Sequence, residues 1–300
     1  MIISMKKNVA IISGVTSFLG KSMAKYLLSK NFIVFGIVRP SSKSIDEIKK
    51  INGINIIKID FDKVKNSDFN FDNDSETLKH IDLIKSSNLD ITFLHFGWGN
   101  TLDRQNFMAQ MLNVDYSMKM LEFAKTIDAK RFIFAGSQAE LSESAYGMAK
   151  KKFADMATYS LKNSDMQFIH MRIFSVYGKA DRETSLIKTL VKHCKTNNNI
   201  DLSSCNYYWN FIFIDDFVNI VYRLIKNNTK TGIYDIASLD TRLLKDYVNE
   251  TVNVLGSNIK LNFGARPDSS EVFSLPNMTN TLNAIGEYKF VSFSEGIKTV

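Results

Sequence analysis

The sequence predicts an α/β fold: a doubly wound parallel sheet, with a smaller unit built mainly from the C-terminal part of the chain. Two observations carry this. Apolar runs of strand length alternate with amphipathic stretches of helical length from residue 8 to about residue 175, and the first run opens through a glycine turn into a helix. Strands that are apolar throughout belong to sheets covered on both faces, as parallel sheets with crossover helices are. Beyond residue 175 the alternation fades. The expected boundaries are therefore 1–175 for the sheet domain, with some later segments returning to it, and 176–300 mainly for the second domain.

Composition narrows the class. A chain of 300 residues that is 45% hydrophobic and 23% charged can bury a large core. No stretch reaches the roughly 18 apolar residues of a membrane span. The N-terminal run Met1–Lys7 is too short and carries its charges too late for a signal peptide. The two cysteines, Cys194 and Cys205, have neither metal-ligand spacing nor a disulfide framework, so a reducing cytoplasm and no metal are expected. The net charge of +7 comes from scattered Lys and Arg without an aromatic-interleaved basic tract, which argues against nucleic acid and suits anionic small molecules.

In order, residues 8–13 (NVAIIS) read as the first strand, followed by Gly14-Val15-Thr16-Ser17-Phe18-Leu19-Gly20 and a helix over 21–30. Strand, glycine turn and helix form the context of a dinucleotide loop. Gly14 allows the tight turn, Gly20 lets helix and strand approach, and the helix N-terminus faces a pyrophosphate. Gly14, Thr16, Ser17, Phe18, Leu19 and Gly20 are thus the candidate cradle, with Ser17 standing where such a loop carries its middle glycine. The second strand, 31–38, runs into Arg39-Pro40-Ser41-Ser42-Lys43. An acidic side chain at this place holds a free ribose hydroxyl, whereas Arg39 and Ser42 suit a 2′-phosphate, so NADP(H) is favoured and NAD(H) stays possible. The third strand, 54–60, ends at Asp60-Phe61, where the carboxylate can accept from an adenine amine, and a polar loop from Asp62 to Ser75 and a helix over 76–86 follow.

The fourth strand, 89–96, leads into Phe96-Gly97-Trp98-Gly99, small enough at the glycines for a cofactor ribose to approach the backbone. His95 inside it reads as a packed histidine. A long helix over 103–127 is expected to bury Met108, Met111, Leu112, Met118, Leu121 and Phe123. The fifth strand, 130–135, delivers Gly136-Ser137-Gln138. Nine positions beyond Ser137, Tyr146 and Lys150 lie one helical turn apart, where an ammonium favours a neighbouring phenolate. Ser137 to hold a substrate oxygen, Tyr146 to exchange its proton, and Lys150 to bind ribose and assist Tyr146 make a proton-transfer set. The sixth strand, 166–173, enters Phe174-Ser175-Val176-Tyr177-Gly178. Later come a helix over 184–195, the aromatic run 207–216, a helix to 226, a strand at 232–237 and a helix over 243–255.

Taken together, Gly14–Gly20, Phe134–Ser137, Tyr146–Lys150, Arg172–Gly178 and Trp209–Asp216 make the chain resemble the extended short-chain dehydrogenase/reductases, the NAD(P)-dependent epimerase/dehydratase family acting on nucleotide sugars, over nearly its whole length. The resemblance implies a Rossmann-type domain, a nicotinamide cofactor, a nucleotide-diphosphate sugar as substrate and a homodimer, with Ser137, Tyr146 and Lys150 catalytic. Arg172, Arg182 and Arg266 become candidate diphosphate clamps, with Trp98, Gln138, Phe174 and Trp209 as further substrate contacts. Where dehydratases of the family carry an Asp-Glu pair and the fucose-synthase type a cysteine, this chain has Gln138 and Ala139. Hydride transfer at one carbon is what remains. The expectation is an NADPH-dependent 4-keto reductase of surface-polysaccharide sugar biosynthesis, the alternatives being an NAD-dependent 4-epimerase and a non-catalytic NADP-binding regulator. The short segment from Ser137 to Tyr146 suggests an open substrate rim.

Overall fold

The computed structural model describes residues 7–64, 69, 74–86, 89–268 and 274–300. Residues 1–6 of the N-terminal run, and 65–68 and 70–73 of the polar loop expected after Asp62, lie outside that description. Two compact units emerge, Met1–Met171 with Asn228–Ile233, and Arg172–Asn227 with Tyr234–Val300.

The first unit alternates as its sequence does: β1 (Asn8–Ser13), α1 (Phe18–Ser29), β2 (Ile33–Val38), a short α2 (Ile45–Lys49), β3 (Ile54–Lys58), α3 (Ser75–Ser86), β4 (Asp90–His95), α4 (Phe107–Thr126), β5 (Arg131–Ala135), a 3-10 turn (Gln138–Leu141), α5 (Ala145–Ser160) and β6 (Gln167–Ile173). With β10 (Gly232–Ile236) at one edge, the seven-stranded sheet has the order β10-β6-β5-β4-β1-β2-β3. Neighbours pair in parallel, with Val9 opposite Ile33 and Ile91. The chain winds outward from β1 to β3 and then returns to β4 on the other side of β1. The carboxyl ends of β1 and β4 therefore flank the point where winding reverses, the crevice in which open α/β sheets bind ligands.

Burial explains the continuous apolar strands. Val9, Ile11, Phe35, Phe93, Phe132 and Phe134 are enclosed with Phe123 of α4 and Phe153 of α5. Phe93 stacks on Phe132 with centroids 5.3 Å apart. Each such side chain contributes about 1.5–3 kcal/mol on burial. The apolar spacing of α4 needs one correction. Leu121 and Phe123 are buried and Met111 and Met118 pack against the core, but Met108 and Leu112 are 76% and 48% exposed. They lie on the outer face of the first turns, whose inner face buries Gln110, Asn113 and Val114, and Phe107 is exposed beside them.

The second unit holds β7 (Ser175–Tyr177), α6 (Leu186–Thr196), β8 (Ile200–Asp201), β9 (Tyr208–Phe213), α7 (Ile214–Lys226), β11 (Thr241–Leu243), α8 (Leu244–Val254), β12 (Leu261–Asn262), α9 (Thr279–Ile285) and α10 (Phe293–Ile297). A three-stranded sheet β11-β9-β7 and a pair β12-β8 replace the long sheet. The core is aromatic, with Tyr177, Phe211, Tyr247 and Phe293 in mutual ring contact. Asn210 fastens it: its amide N–H groups donate to the carbonyls of Ser238 and Asp240, and its oxygen accepts from the Ser238 N–H.

Candidate active site

Glycines shape the cofactor side of the site. Gly14 sits at φ +69°, and a Cβ there would lie 2.6 Å from the Gly97 nitrogen, so the turns after β1 and β4 touch through backbone alone. A Cβ on Gly20 would collide with the Gly14 carbonyl, which fixes the approach of α1. Ser17 has a definite role: it is the N-cap of α1, and its hydroxyl accepts from the Gly20 N–H at 3.1 Å. The first-turn N–H groups of Phe18 and Leu19 have no acceptor within the helix. A close-packed glycine cradle opening on a helix N-terminus fits a nicotinamide dinucleotide. Arg39 is exposed at the carboxyl end of β2, and the Ser42 N–H donates to its carbonyl. Asp60 Oδ1 accepts from the Asp62 N–H, and Lys119 Nζ donates to the carbonyl of Phe61 at 3.0 Å. His95 is buried and packed, with Nδ1 2.6 Å from the Ser13 hydroxyl and Nε2 2.8 Å from that of Ser117. Burial, reinforced by the Lys150 charge, pulls its pKa down to about 3.

The three residues expected to transfer a proton lie after β5 and in the first turns of α5. Ser137 caps the 3-10 turn and its Oγ accepts from the Ala139 N–H at 3.1 Å, which leaves the hydroxyl hydrogen to donate elsewhere. Tyr146 stands in the first turn of α5, where its N–H donates to the Arg104 carbonyl at 2.9 Å and the Arg104 guanidinium lies 4.7 Å from its ring centroid. Lys150 is buried: Nζ donates to the Ala135 carbonyl at 2.5 Å and lies 4.1 Å from the Trp98 ring centroid, 4.9 Å from that of Phe134 and 5.8 Å from that of Tyr146. Desolvation lowers its pKa from 10.5 to about 7, against the upward pull of the Glu140 carboxylate. The segment between Ser137 and Tyr146 is a tight turn; a Cβ at Gly147 would strike the Ala139 carbonyl, so α5 presses directly on it.

Other expected residues are placed as follows. Trp98 roofs Lys150 and is oriented by Nε1 donating to Gln110 at 2.9 Å, and Gln138 opens the 3-10 turn. In the second unit, Arg172 Nε donates to Asp235 at 2.7 Å, Phe174 is buried with Ala237 and Met278, and Trp209 packs between Tyr207 and Phe211. Arg182 and Arg266 are exposed. Two residues escaped the sequence reading. Arg104 lies in a loop without a motif, while Glu140 had a signal in the Ser-x-x-Glu capping spacing from Ser137. Among the described residues no group of His, Cys, Asp and Glu has metal-site geometry, and no helix is long and apolar enough to cross a membrane.

Residues 10–237 match the model of the NAD dependent epimerase/dehydratase family. The chain belongs to that family. Within it, the chain is similar to the CDP-abequose synthase of Salmonella muenchen, 24% identical over 96% of this chain and 95% of the relative. It also resembles ADP-L-glycero-D-manno-heptose-6-epimerase of Fusobacterium nucleatum, 27% identical over 48% and 45% of the two chains. The fold matches UDP-N-acetylglucosamine 4-epimerase from Methanobrevibacter ruminantium M1 with a TM-score of 0.78 at 16% identity, covering 98% of each chain. It matches dTDP-glucose 4,6-dehydratase from Bacillus anthracis with a TM-score of 0.77 at 14% identity, covering 97% and 95%. Epimerase and dehydratase fit the fold equally well, so the chemistry rests on the site. The family assigns the chain to the NAD(P)-dependent enzymes of nucleotide-sugar metabolism.

Proposed function

We propose that this enzyme is an NADPH-dependent reductase of a nucleotide-linked 4-keto sugar, working in the cytoplasm on a sugar destined for surface polysaccharide. The observation that carries the reading is the composition of the turn after β5. Ser137, Tyr146 and Lys150 are present, Gln138 and Ala139 offer no second acid or base, and of the two carboxylates before Tyr146, Glu140 is committed to Ser137 N–H and His170 while Glu143 is exposed. An elimination needs such a second pair; a carbonyl reduction needs one proton donor.

The Gly14–Gly20 cradle and Lys150 would hold the nicotinamide cofactor, which when bound would supply a hydride. Ser137 donates its free hydroxyl hydrogen to the substrate oxygen. Tyr146 transfers its phenolic proton to that oxygen as it becomes an alkoxide. The Lys150 and Arg104 cations stabilise the negative charge left on the phenol. Arg39 supports NADPH over NADH, since a guanidinium at the end of β2 matches a 2′-phosphate. Arg172, Arg182 and Arg266 remain candidates for the diphosphate, and Phe174 and Trp209 candidates for contacts to the sugar nucleotide. The similarity to CDP-abequose synthases makes cytidine diphosphate the first nucleotide to try. Apolar side chains exposed on α4 (Phe107, Met108, Leu112) and on its packing neighbour α5 (Met148, Met156, Tyr159) support a homodimer through these helices.

The test is a panel of CDP-, UDP- and dTDP-linked 4-keto sugars with NADPH, following nicotinamide absorbance and product stereochemistry. Net NADPH oxidation with one hydroxyl epimer formed supports the reductase. The 4-epimerase neighbours favour a second reading, under which purified protein carries bound NAD and interconverts two sugars without consuming added cofactor.

A further inference from the structure

A buried carboxylate lies directly beneath the proton-transfer set. Glu140, whose side chain is 3% exposed, points back from the 3-10 turn under Ser137. Its Oε1 accepts from the Ser137 N–H at 2.8 Å and lies 3.0 Å from His170 Nε2 of β6, while Oε2 lies 2.9 Å from the same nitrogen. With Glu140 ionised its oxygens can only accept, and His170 Nε2–H is then the donor between the two. The end of β5 is built around the pair: a Cβ on Gly136 would run into Glu140 Oε1 and come within 2.5 Å of His170 Nε2. A capping box alone needs one acceptor oxygen, and a glutamine supplies that. A full carboxylate in the interior is costly unless something near it carries positive charge. His170 Nε2 touches both oxygens, and the ammonium on which the carboxylate acts is Lys150, whose own contacts, the Ala135 carbonyl and the Trp98 and Phe134 rings, are all uncharged.

We propose that Glu140, backed by His170, is a positioning residue of the active site: it fixes the Ser137 turn and is the counter-charge that holds the buried Lys150 as an ammonium. This rests on the reading of Ser137, Tyr146 and Lys150 as the reacting set. The direction of the perturbations agrees, since burial drives the Lys150 pKa down to about 7 and Glu140 opposes it. The groups facing Lys150 are few: Tyr146 on its own helix, His95 on β4 with its pKa near 3, Glu140 on the turn with His170 of β6 behind it, and Arg104 across the Tyr146 ring. Glu140 is the anion among them.

The experiment compares the full-length parent with Glu140→Gln, which keeps an acceptor for Ser137 N–H and loses the charge, and with Glu140→Asp. The first readout needs no turnover: the 15Nζ titration of Lys150 by NMR, assigned by its loss in Lys150→Met. Glu140→Gln is expected to lower the midpoint by a unit or more, tenfold in the protonated fraction, and Glu140→Asp to restore part of it. The second readout is the pH profile of kcat, whose alkaline limb should move down with the Nζ midpoint while KM for the sugar changes less than threefold. An unchanged Lys150 midpoint in folded Glu140→Gln overturns the proposal. If Glu140→Gln does not fold, the Glu140 carboxyl 13C signal of the unmutated protein decides: an inflection at the Lys150 midpoint that vanishes in Lys150→Met supports the proposal, and its absence overturns it. Failure of the catalytic reading looks different, with Tyr146→Phe or Lys150→Met turning over like the parent whatever the titrations show.

Discussion

The two ends of the central sheet treat a buried cation in opposite ways. At the amino end, Arg131 begins β5 and Asp90 begins β4; Nη1 and Nη2 grip the two carboxylate oxygens at 2.7 and 3.1 Å, and Nη1 also donates to Thr92 at 3.0 Å. Only its Nε is buried without a partner. At the carboxyl end, Lys150 has a carbonyl, ring faces and only the through-space pull of the Glu140 carboxylate. The first arrangement satisfies the charge and closes the sheet. The second leaves the ammonium close to losing its proton near neutrality, a state that contributes nothing to stability and is useful for moving charge. One strand meets both, β5 carrying Arg131 at its start and offering the Ala135 carbonyl to Lys150 of α5 at its end, so burial alone does not mark a functional residue; the quality of its compensation does.

That contrast can be broken from either end. The largest effect is expected from Tyr146→Phe, which removes the proposed proton donor: kcat should fall by about 10²- to 10⁴-fold with cofactor affinity and melting temperature unchanged, as read by stopped-flow nicotinamide absorbance. Next comes Lys150→Met. With a folded pKa near 7 against 10.5, burying Lys150 costs stability in full below pH 7, and the cost fades as pH rises toward 10.5 because only the unfolded chain then stays protonated. The inactive variant should therefore be more stable than the parent by on the order of 2–4 kcal/mol at pH 6.5, the difference disappearing by pH 10.5 in urea titrations. A constant difference across that range would mean the lysine is not desolvated as described. At the amino end the sign reverses: Asp90→Ala strands the Arg131 charge and should destabilise by about 3 kcal/mol at pH 7 while kcat of the folded fraction holds. Arg39→Ala is the smallest, an expected loss of about tenfold in NADPH affinity, or about 1.4 kcal/mol, with NADH affinity unchanged in fluorescence titration.

Much of the first unit could be read from the chain because its signals are local. The strand at 8–13, Gly14, Gly20 and the Tyr146–Lys150 pair each combine composition with short spacing, and the structure places them where the turn, the close approach and the shared helix face require. Strand ends differ by one or two residues, as with 54–60 against Ile54–Lys58, since the last residues leave the ladder before their apolar character stops. Glu140 was missed because the Ser-x-x-Glu spacing announces only a cap, and its pairing depends on His170, thirty positions away on β6. Met108 and Leu112 misled because apolar spacing shows a helix face and not what covers it. In the second unit the strands are two to six residues long and pair across distant segments, Leu261 with Ile200 for example, so no periodicity announces them.

Gly136 and Glu140 share one volume: the room that a side chain on the glycine would take is filled by the carboxyl group of its neighbour four positions on. Their histories should be linked accordingly. Across a broad set of sequences from this family, an alanine or larger residue at the position of Gly136 is expected only where the position of Glu140 carries a shorter side chain, and the partner of His170 should change in the same lineages. The strand end thus records a pairwise constraint that an alignment can read as covariation.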